Sequence, residues 1–376
     1  YNTPYWINPA QISTSPEIRG NMMNTNYYQW ENFANYNKTI QKHEINAMAG
    51  LEFASTRFES VRANANGLSS LDEAFQSLDY YLPTASTRTM SGGDYYRANM
   101  SYFGRLAYAY DAKYLLQVNF RADAFDNSKL ATKNRWGYFP SVSLGWVLTK
   151  ENFMQNIDPK TLSFLKLRAS YGVNGNINAL SDFAYTNAMA LSSSAYSLTN
   201  SGLLTAAAPS TTLANQDLTW EETTQLNFGL DTRFFSDRLV FSVDYYEKNT
   251  TGMITSISAP FISGASTQNV NKGKILNKGF EFDLGWNHKV GDLSYSFNAN
   301  LTTIHNEVIE SPYTAGRQSG GFPGSNFFLP ITHLEAGYPM WYMRTFIHKD
   351  IDPATGLPVY YSGEELGSDD GKDFAG

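Results

Sequence analysis

Residues 293–301, Leu-Ser-Tyr-Ser-Phe-Asn-Ala-Asn-Leu, put Leu293, Tyr295, Phe297, Ala299 and Leu301 on one face of an extended chain and Ser294, Ser296, Asn298 and Asn300 on the other. A strand written this way has an apolar side and a wet side. The pattern recurs about ten times along the sequence, at lengths that let a strand cross a bilayer, and it predicts an all-β chain forming a transmembrane antiparallel β-barrel.

Working outward from that strand, residues 26–37 gather Tyr28, Trp30, Ala34 and Tyr36 on one side, and residues 43–54 gather Ile45, Ala47, Ala49, Leu51 and Phe53. Residues 101–110 set Tyr102, Gly104, Leu106, Tyr108 and Tyr110 against Arg105, Ala107 and Ala109. After Asp111-Ala112-Lys113, the strand from Tyr114 sets Leu116, Val118 and Phe120 against Gln117, Asn119 and Arg121, which makes the clearest hairpin of the chain. Val142, Leu144, Trp146 and Leu148 mark the next strand, followed by Leu165, Leu167, Ala169 and Tyr171 opposite Lys166 and Arg168. Phe228 and Leu230 then oppose Asn227 and Asp231, Phe241 and Val243 oppose Ser242 and Asp244, and Phe280, Phe282, Leu284 and Trp286 oppose Glu281 and Asp283.

The connections alternate between short and long. Residues 37–42, 111–113, 150–161, 236–237 and 288–292 are short, whereas about 54–98, 175–217, 249–277 and 304–328 are long and rich in Ser, Asn, Thr and Gly. In outer-membrane barrels periplasmic turns are short and extracellular loops long, so loop length alone predicts which end of the wall faces the cell exterior. On this reading Arg105, Gln117, Asn119, Arg121, Lys166, Arg168, Asn227, Asp231, Glu281, Asp283, Asn298 and Asn300 line a hydrated lumen. Leu116, Val118, Phe120, Leu144, Trp146, Phe228, Phe241, Phe280, Phe282, Trp286 and Phe297 face lipid. A soluble sandwich or propeller also alternates apolar and polar residues. Its strands are typically about five or six residues long, shorter than these, and its polar faces carry fewer charges opposite unbroken apolar rows.

Composition alone points elsewhere. Apolar residues make up 42% of the 376, and the mean hydropathy is −0.38, because in such a wall every second side chain faces water. No run of apolar residues is long enough for a transmembrane helix. The 25 Tyr, 24 Phe and 7 Trp suit aromatic girdles at the membrane interfaces. The absence of Cys accords with an oxidising compartment, and the net charge of −7 argues against a nucleic-acid binder. No export signal is visible ahead of Tyr1.

Catalytic constellations are poor, and no enzyme is expected. His43, His288, His305, His333 and His348 show no paired metal-ligand spacing, and no nucleophile-elbow, P-loop or dinucleotide motif occurs. Glu281 and Asp283 are two apart on one strand face, as a glycosidase dyad can be, yet a hydrated wall explains them more simply. The run Asp369-Asp370-Gly371-Lys372-Asp373 matches a fragment of an Asp-rich calcium loop, too little to support calcium, so no cofactor or metal is expected. In the long loops Tyr80, Tyr81, Tyr95, Tyr96, Tyr185, Tyr196, Phe261, Phe327 and Phe328 are candidates to touch a ligand or a covering lid, or simply to pack loop on loop.

Residues 134–146, Asn-Arg-Trp-Gly-Tyr-Phe-Pro-Ser-Val-Ser-Leu-Gly-Trp, resemble the SusC/RagA family of TonB-dependent outer-membrane transporters. Further stretches agree in family order. They include His43-Glu44-Ile45-Asn46-Ala47, residues 165–172 (Leu-Lys-Leu-Arg-Ala-Ser-Tyr-Gly), residues 220–231 (Trp-Glu-Glu-Thr-Thr-Gln-Leu-Asn-Phe-Gly-Leu-Asp) and Asn277-Lys278-Gly279-Phe280-Glu281-Phe282. The resemblance implies a barrel of about 22 strands around an N-terminal plug. It further implies a SusD-like surface lipoprotein as lid, energy from TonB, and import of an oligosaccharide or oligopeptide across the bacterial outer membrane. Residues 1–376 then read as a middle part of that barrel, about eleven strands, with plug, TonB box and further strands lying outside them. The competing functions are a passive porin or adhesin and a barrel-type enzyme.

Overall fold

The computed structural model describes residues 17–66, 88–126, 128–187, 211–313, 332–343 and 347–361, with the backbone of five short strands at 5–8, 11–13, 189–192, 206–209 and 317–319. Among these residues there is no α-helix. Eleven strands form one sheet. They are β1 (Glu17–Ile40), β2 (His43–Asn66), β3 (Arg88–Tyr110), β4 (Tyr114–Phe125), β5 (Trp136–Val147), β6 (Leu162–Asn176), β7 (Glu221–Phe234), β8 (Leu239–Thr251), β9 (Lys274–Val290), β10 (Leu293–Thr302) and β11 (His305–Glu310). Strands adjacent in sequence are adjacent in the sheet from β1 to β10, and β11 pairs with β9.

The short connections fall close to where the alternation predicts them, and four of the five turn through residues in the left-handed region, Gly291 (φ 61°) between β9 and β10 among them. Gln41 (φ 52°) turns β1 into β2, Asp111 and Ala112 (φ 52° and 49°) turn β3 into β4, and Phe235, Ser236 and Asp237 turn β7 into β8. Positive φ at the tip gives a hairpin turn the twist that its strands already have. Between β5 and β6 the chain makes two single turns of 3₁₀-helix, Leu148–Lys150 and Asn152–Met154.

The strands run further than the sequence predicts at their other ends. β2 continues to Asn66 and β3 begins at Arg88, so the long connection expected over about 54–98 shrinks to 67–87, which lies outside the described residues. In the segment 55–66 polar residues are mixed with apolar ones on both faces, so its side chains do not advertise a strand although its backbone joins the ladder. The loop expected over 249–277 holds a hairpin of Ile254–Ser258 with Thr267–Asn271. β10 and β11 keep a single register on β9, with Glu281 opposite Thr302 and Lys278 opposite His305. They are one strand interrupted at Thr303, whose carbonyl sits where a Cβ on Gly279 would be; the Phe280 amide donates to Thr303 Oγ1 at 3.0 Å.

Contacts divide the chain into two compact units. In the first (Tyr1–Phe33, Gly50–Tyr102, Asp123–Asp126), Phe58 stacks on Tyr95 at 4.9 Å and the Arg97 guanidinium lies 4.3 Å from the centroid of that ring. The Ala98 amide donates to the Asp126 carboxylate at 2.7 Å. In the second (Ala34–Ala49, Phe103–Ala122, Asn127–Gly376), the fully buried Leu130, Leu180 and Leu218 lie in connections, whereas the fully buried Val308 lies on β11. Lys129 donates to the Leu180 carbonyl at 2.5 Å and pairs with Asp182 at 3.0 Å.

Candidate functional site: a two-faced wall

Register fixes which side chains share a face. Opposed residues of an antiparallel pair point to the same side, so one slip would invert the wall. Across β5 to β10 one row reads Leu144, Ala169, Phe228, Tyr245, Phe280, and the next reads Trp146, Leu167, Leu230, Val243, Phe282, Leu301. The opposite face carries Val147, Lys166, Asp231, Ser242, Asp283, Asn300 and then Gly145, Arg168, Gly229, Asp244, Glu281, Thr302. Gly285 and Asn298 pair on that same face, and Trp286 and Phe297 on the apolar one. In β4 the rings of Tyr114 and Phe120 stack on Trp146 and Tyr138, while Asn119 donates to Ser141 Oγ at 3.0 Å. Even-numbered β4 residues, Leu116, Val118 and Phe120 among them, therefore join the apolar face, and Gln117, Asn119 and Arg121 the polar one. Arg105 reaches Asn46 across β2 and β3 at 3.5 Å, and Arg121 lies over Phe103 at 5.8 Å.

The apolar face is uncovered. Phe228, Phe280, Phe297 and Leu144 are 51%, 46%, 58% and 56% exposed, the reverse of a water-soluble core. The polar face is organised around Arg168. Its guanidinium makes two parallel bonds to Asp231, Nε to Oδ2 and Nη2 to Oδ1 at 2.8 Å each, and Nη2 also reaches Asp244 Oδ2 at 2.9 Å. Gly229 makes this possible. A Cβ there would collide with the Asp244 carboxylate and would lie 2.7 Å from Arg168 Cζ, so only glycine lets one arginine bridge carboxylates on two strands. Beside the clamp a concavity of about 560 Å³ opens on the polar face, reached by Glu44, Asn46, Gln117, Lys166 and Ser170 over Ala107 and Gly145.

At the short-turn end the apolar face closes in rings: His43 against Tyr110, Tyr110 on Tyr114, Tyr114 on Trp146, and further along Phe235 against Trp286 and His288 against Tyr295. Trp146 Nε1 donates to Glu151 at 3.1 Å, and Lys42 pairs with Asp111 at 3.0 Å. A second group, Phe120 on Tyr138, lies on the same face. Tyr138 and Trp146 stand roughly 26 Å apart along β5 at ~3.3 Å per residue.

Of the loop aromatics singled out in the sequence, Tyr80, Tyr81, Tyr196, Phe327 and Phe328 lie outside the described residues, as does the Asp369–Asp373 run. Tyr95 is engaged by Phe58 and Arg97, Tyr96 is exposed, Tyr185 is half-buried, and Phe261 projects fully from the tip of the Ile254–Ser258 hairpin. Sequence reasoning missed Asp244, Gly229 and Asn271 as organising residues. Counting back from the Phe235–Arg238 turn, with Phe234 opposite Leu239, would have placed Gly229 opposite Asp244. Asn271 had no such signal. It donates to the carbonyls of Thr219 and Gly252 at 2.9 and 3.0 Å and accepts from the Thr219 amide at 2.8 Å.

A single meander of eleven antiparallel strands, apolar on one face and charged on the other, is a barrel wall of the membrane-spanning kind. A family profile described as TonB dependent receptor-like, beta-barrel matches residues 1–373, and the chain belongs to that family. It is 32% identical over 307 residues to TonB-dependent receptor P39 of Formosa agariphila, covering 80% of this chain and 28% of that protein. It is 34% identical over 213 residues to TonB-dependent receptor SusC of Bacteroides thetaiotaomicron, covering 56% of this chain and 20% of that one. The structure of the RagAB peptide importer in the 'closed-closed' state superposes with a TM-score of 0.76 at 25% identity, over 94% of this chain and 37% of that one. The likeness to SusC and RagA that the sequence motifs suggest therefore holds, and the chain spans less than a third of the length of these curated relatives.

Proposed function

We propose that residues 1–376 are part of the wall of a TonB-dependent outer-membrane importer that moves a bulky hydrophilic nutrient, an oligosaccharide or an oligopeptide, together with a SusD-like surface lipoprotein. The observation that carries this reading is the two-faced register, joined to the family match over residues 1–373. The apolar rows touch hydrocarbon and the two aromatic groups sit towards its boundaries; roughly 26 Å along a strand tilted about 40° spans about 20 Å of height, most of an apolar band about 25 Å tall. The clamp face lines the passage, the short turns lie in the periplasm and the long connections outside. β1 and β10 are the edges of the sheet. In hydrocarbon an open edge costs several kcal/mol for each unpaired backbone group, so in the membrane both edges take further strands as partners. A barrel of that size leaks unless it is filled, and a plug from the same larger protein answers that.

Transport, rather than catalysis, is what such a wall performs. The test is growth of a strain lacking the whole gene, and of one lacking TonB, on single oligosaccharides or oligopeptides as sole nutrient. Both strains should lose growth on the same polymer and keep it on the monomers. Uptake that persists without TonB, together with steady conductance of the purified protein in planar bilayers, would make it the passive porin instead.

A further inference from the structure

On the apolar face the sheet is not uniformly studded. In the row Leu144, Ala169, Phe228, Tyr245, Phe280 the small member is Ala169, flanked by Leu144 on β5 and Phe228 on β7. The notch opens a groove of about 990 Å³, floored by Ala169, Leu167 and Leu230, walled on one side by Phe228 and on the other by Trp146 and Tyr114. Its lining is overwhelmingly apolar, and all of it lies on strands of one compact unit. The Tyr114 and Trp146 end of the groove is the short-turn end, where Tyr110, Tyr114 and Trp146 stack, Trp146 bonds Glu151, and the exposed lysines of the turns are Lys42, which is paired with Asp111, and Lys150.

We propose that this groove is a binding site for one phospholipid of the periplasmic leaflet, with an acyl chain lying over Ala169 between the Phe228 and Trp146 walls and its phosphate within reach of the lysines at the short-turn rim. The inference rests on the reading that this face meets hydrocarbon. What is new is that one lipid is held rather than merely adjacent. An apolar concavity that water would enter only at a cost is filled by the nearest hydrocarbon, and continuity with the lipid-facing rows makes that hydrocarbon an acyl chain. A chain seated between two ring walls makes contacts on several sides, whereas a neighbouring lipid against the flat wall makes them on one. The rings and amines at one end suit the interfacial region, where amphipathic rings and snorkelling lysines gather.

The experiment is native mass spectrometry of the full-length protein extracted in mild detergent, counting phospholipids retained as collisional activation rises. The wild type should keep one phospholipid per chain after the others have left. Ala169→Trp, which fills the notch from the lipid side, should lose that last lipid, and the milder Ala169→Leu should release it at lower activation. Equal retention in all three proteins, or retention of detergent alone, would overturn the proposal, as would a tightly bound second protein on this face. A parallel measurement separates this from the membrane reading itself: Leu284→Cys lies on the same face away from the groove. In intact membranes it should resist a membrane-impermeant maleimide and react once the protein is unfolded in detergent. If it reacts in intact membranes, the membrane reading has failed; if it resists while lipid retention is unchanged by Ala169→Trp, only the lipid site has.

Discussion

The two ends of the wall are built differently. At the short-turn end the side chains announce the structure: every second residue is apolar, hairpins close within a few residues, and rings and paired charges such as Trp146 with Glu151 and Lys42 with Asp111 mark the boundary. At the long-loop end the backbone carries on without that announcement. β1, β2 and β3 reach 24, 24 and 23 residues, roughly double the ~9–11 that a membrane crossing needs. Side chains there settle carbonyls and amides rather than face a solvent of one kind, as Asn271 does between Thr219 and Gly252. The difference teaches that alternation records a difference in polarity between the two faces, whereas strand length records only where the hydrogen-bond ladder stops.

The largest expected effect breaks the half that alternates. Leu284→Arg, on the apolar face of β9, should destabilise the assembled protein by about 3 kcal/mol, the scale for a cation near mid-membrane. Asn300→Arg, opposite Asp283 on the other face, should cost less than about 1 kcal/mol, since lumen positions tolerate charge. Unfolding midpoints of the two variants in lipid vesicles check this. Next comes Arg168→Met, which leaves Asp231 and Asp244 facing each other without their shared cation. The clamp is about a third exposed, so a loss of about 2 kcal/mol is expected, below the figure for a fully buried pair, and Asp231→Asn in the same background should recover part of it.

The long-loop end answers to a different change. Asn271→Ala removes a donor shared by two carbonyls and an acceptor for one amide, a loss of about 2 kcal/mol felt locally. Hydrogen exchange should quicken at Thr219 and across Thr267–Asn271, with β7 to β9 unchanged. At the short-turn end the effect is one of pH. The Tyr114 hydroxyl, and after it the Trp146 indole, donate to the Glu151 carboxylate and hold it below the ordinary glutamate range. The Lys42 ammonium likewise holds Asp111 low. Folded values below the unfolded ones mean that this contribution is complete above the unfolded carboxylate value of about 4. It is lost as pH falls through the folded values. Acidification should therefore lower the protection of the Val147 amide, which bonds the Lys113 carbonyl at 2.8 Å, once the observed exchange rate is divided into the intrinsic rate at each pH, and Glu151→Gln should remove most of that pH dependence. The smallest effect belongs to Phe261→Ser, at a tip with nothing against it, which should alter stability by no more than about 0.5 kcal/mol.

How far the sequence could be read follows the same division. The partition of Phe228, Phe241, Phe280 and Phe297 onto one face and Asn227, Asp231, Asp283 and Asn300 onto the other was legible because period two survives wherever the two faces of a strand differ in polarity. The short turns were legible for the same reason. Residues 55–66 were not, because Ser, Thr, Arg, Glu and Asn are spread over both sides of the strand and leave no apolar row. The resumption of the β10 strand as β11 was hidden by Thr303, whose side chain replaces a ladder bond. Arg168 and Asp231 could be picked as polar wall residues one by one. Their union with Asp244 required the register across three strands and the missing Cβ of Gly229, which are non-local facts.

The most direct test of the two-sided wall is a spin-label scan of β10, one cysteine at a time from Leu293 to Thr302, in the full-length protein in lipid vesicles. Labels at 293, 295, 297, 299 and 301 should collide preferentially with oxygen dissolved in lipid, and labels at the even positions should show no such preference. A flat profile, or oxygen preference at the even positions, would contradict the account.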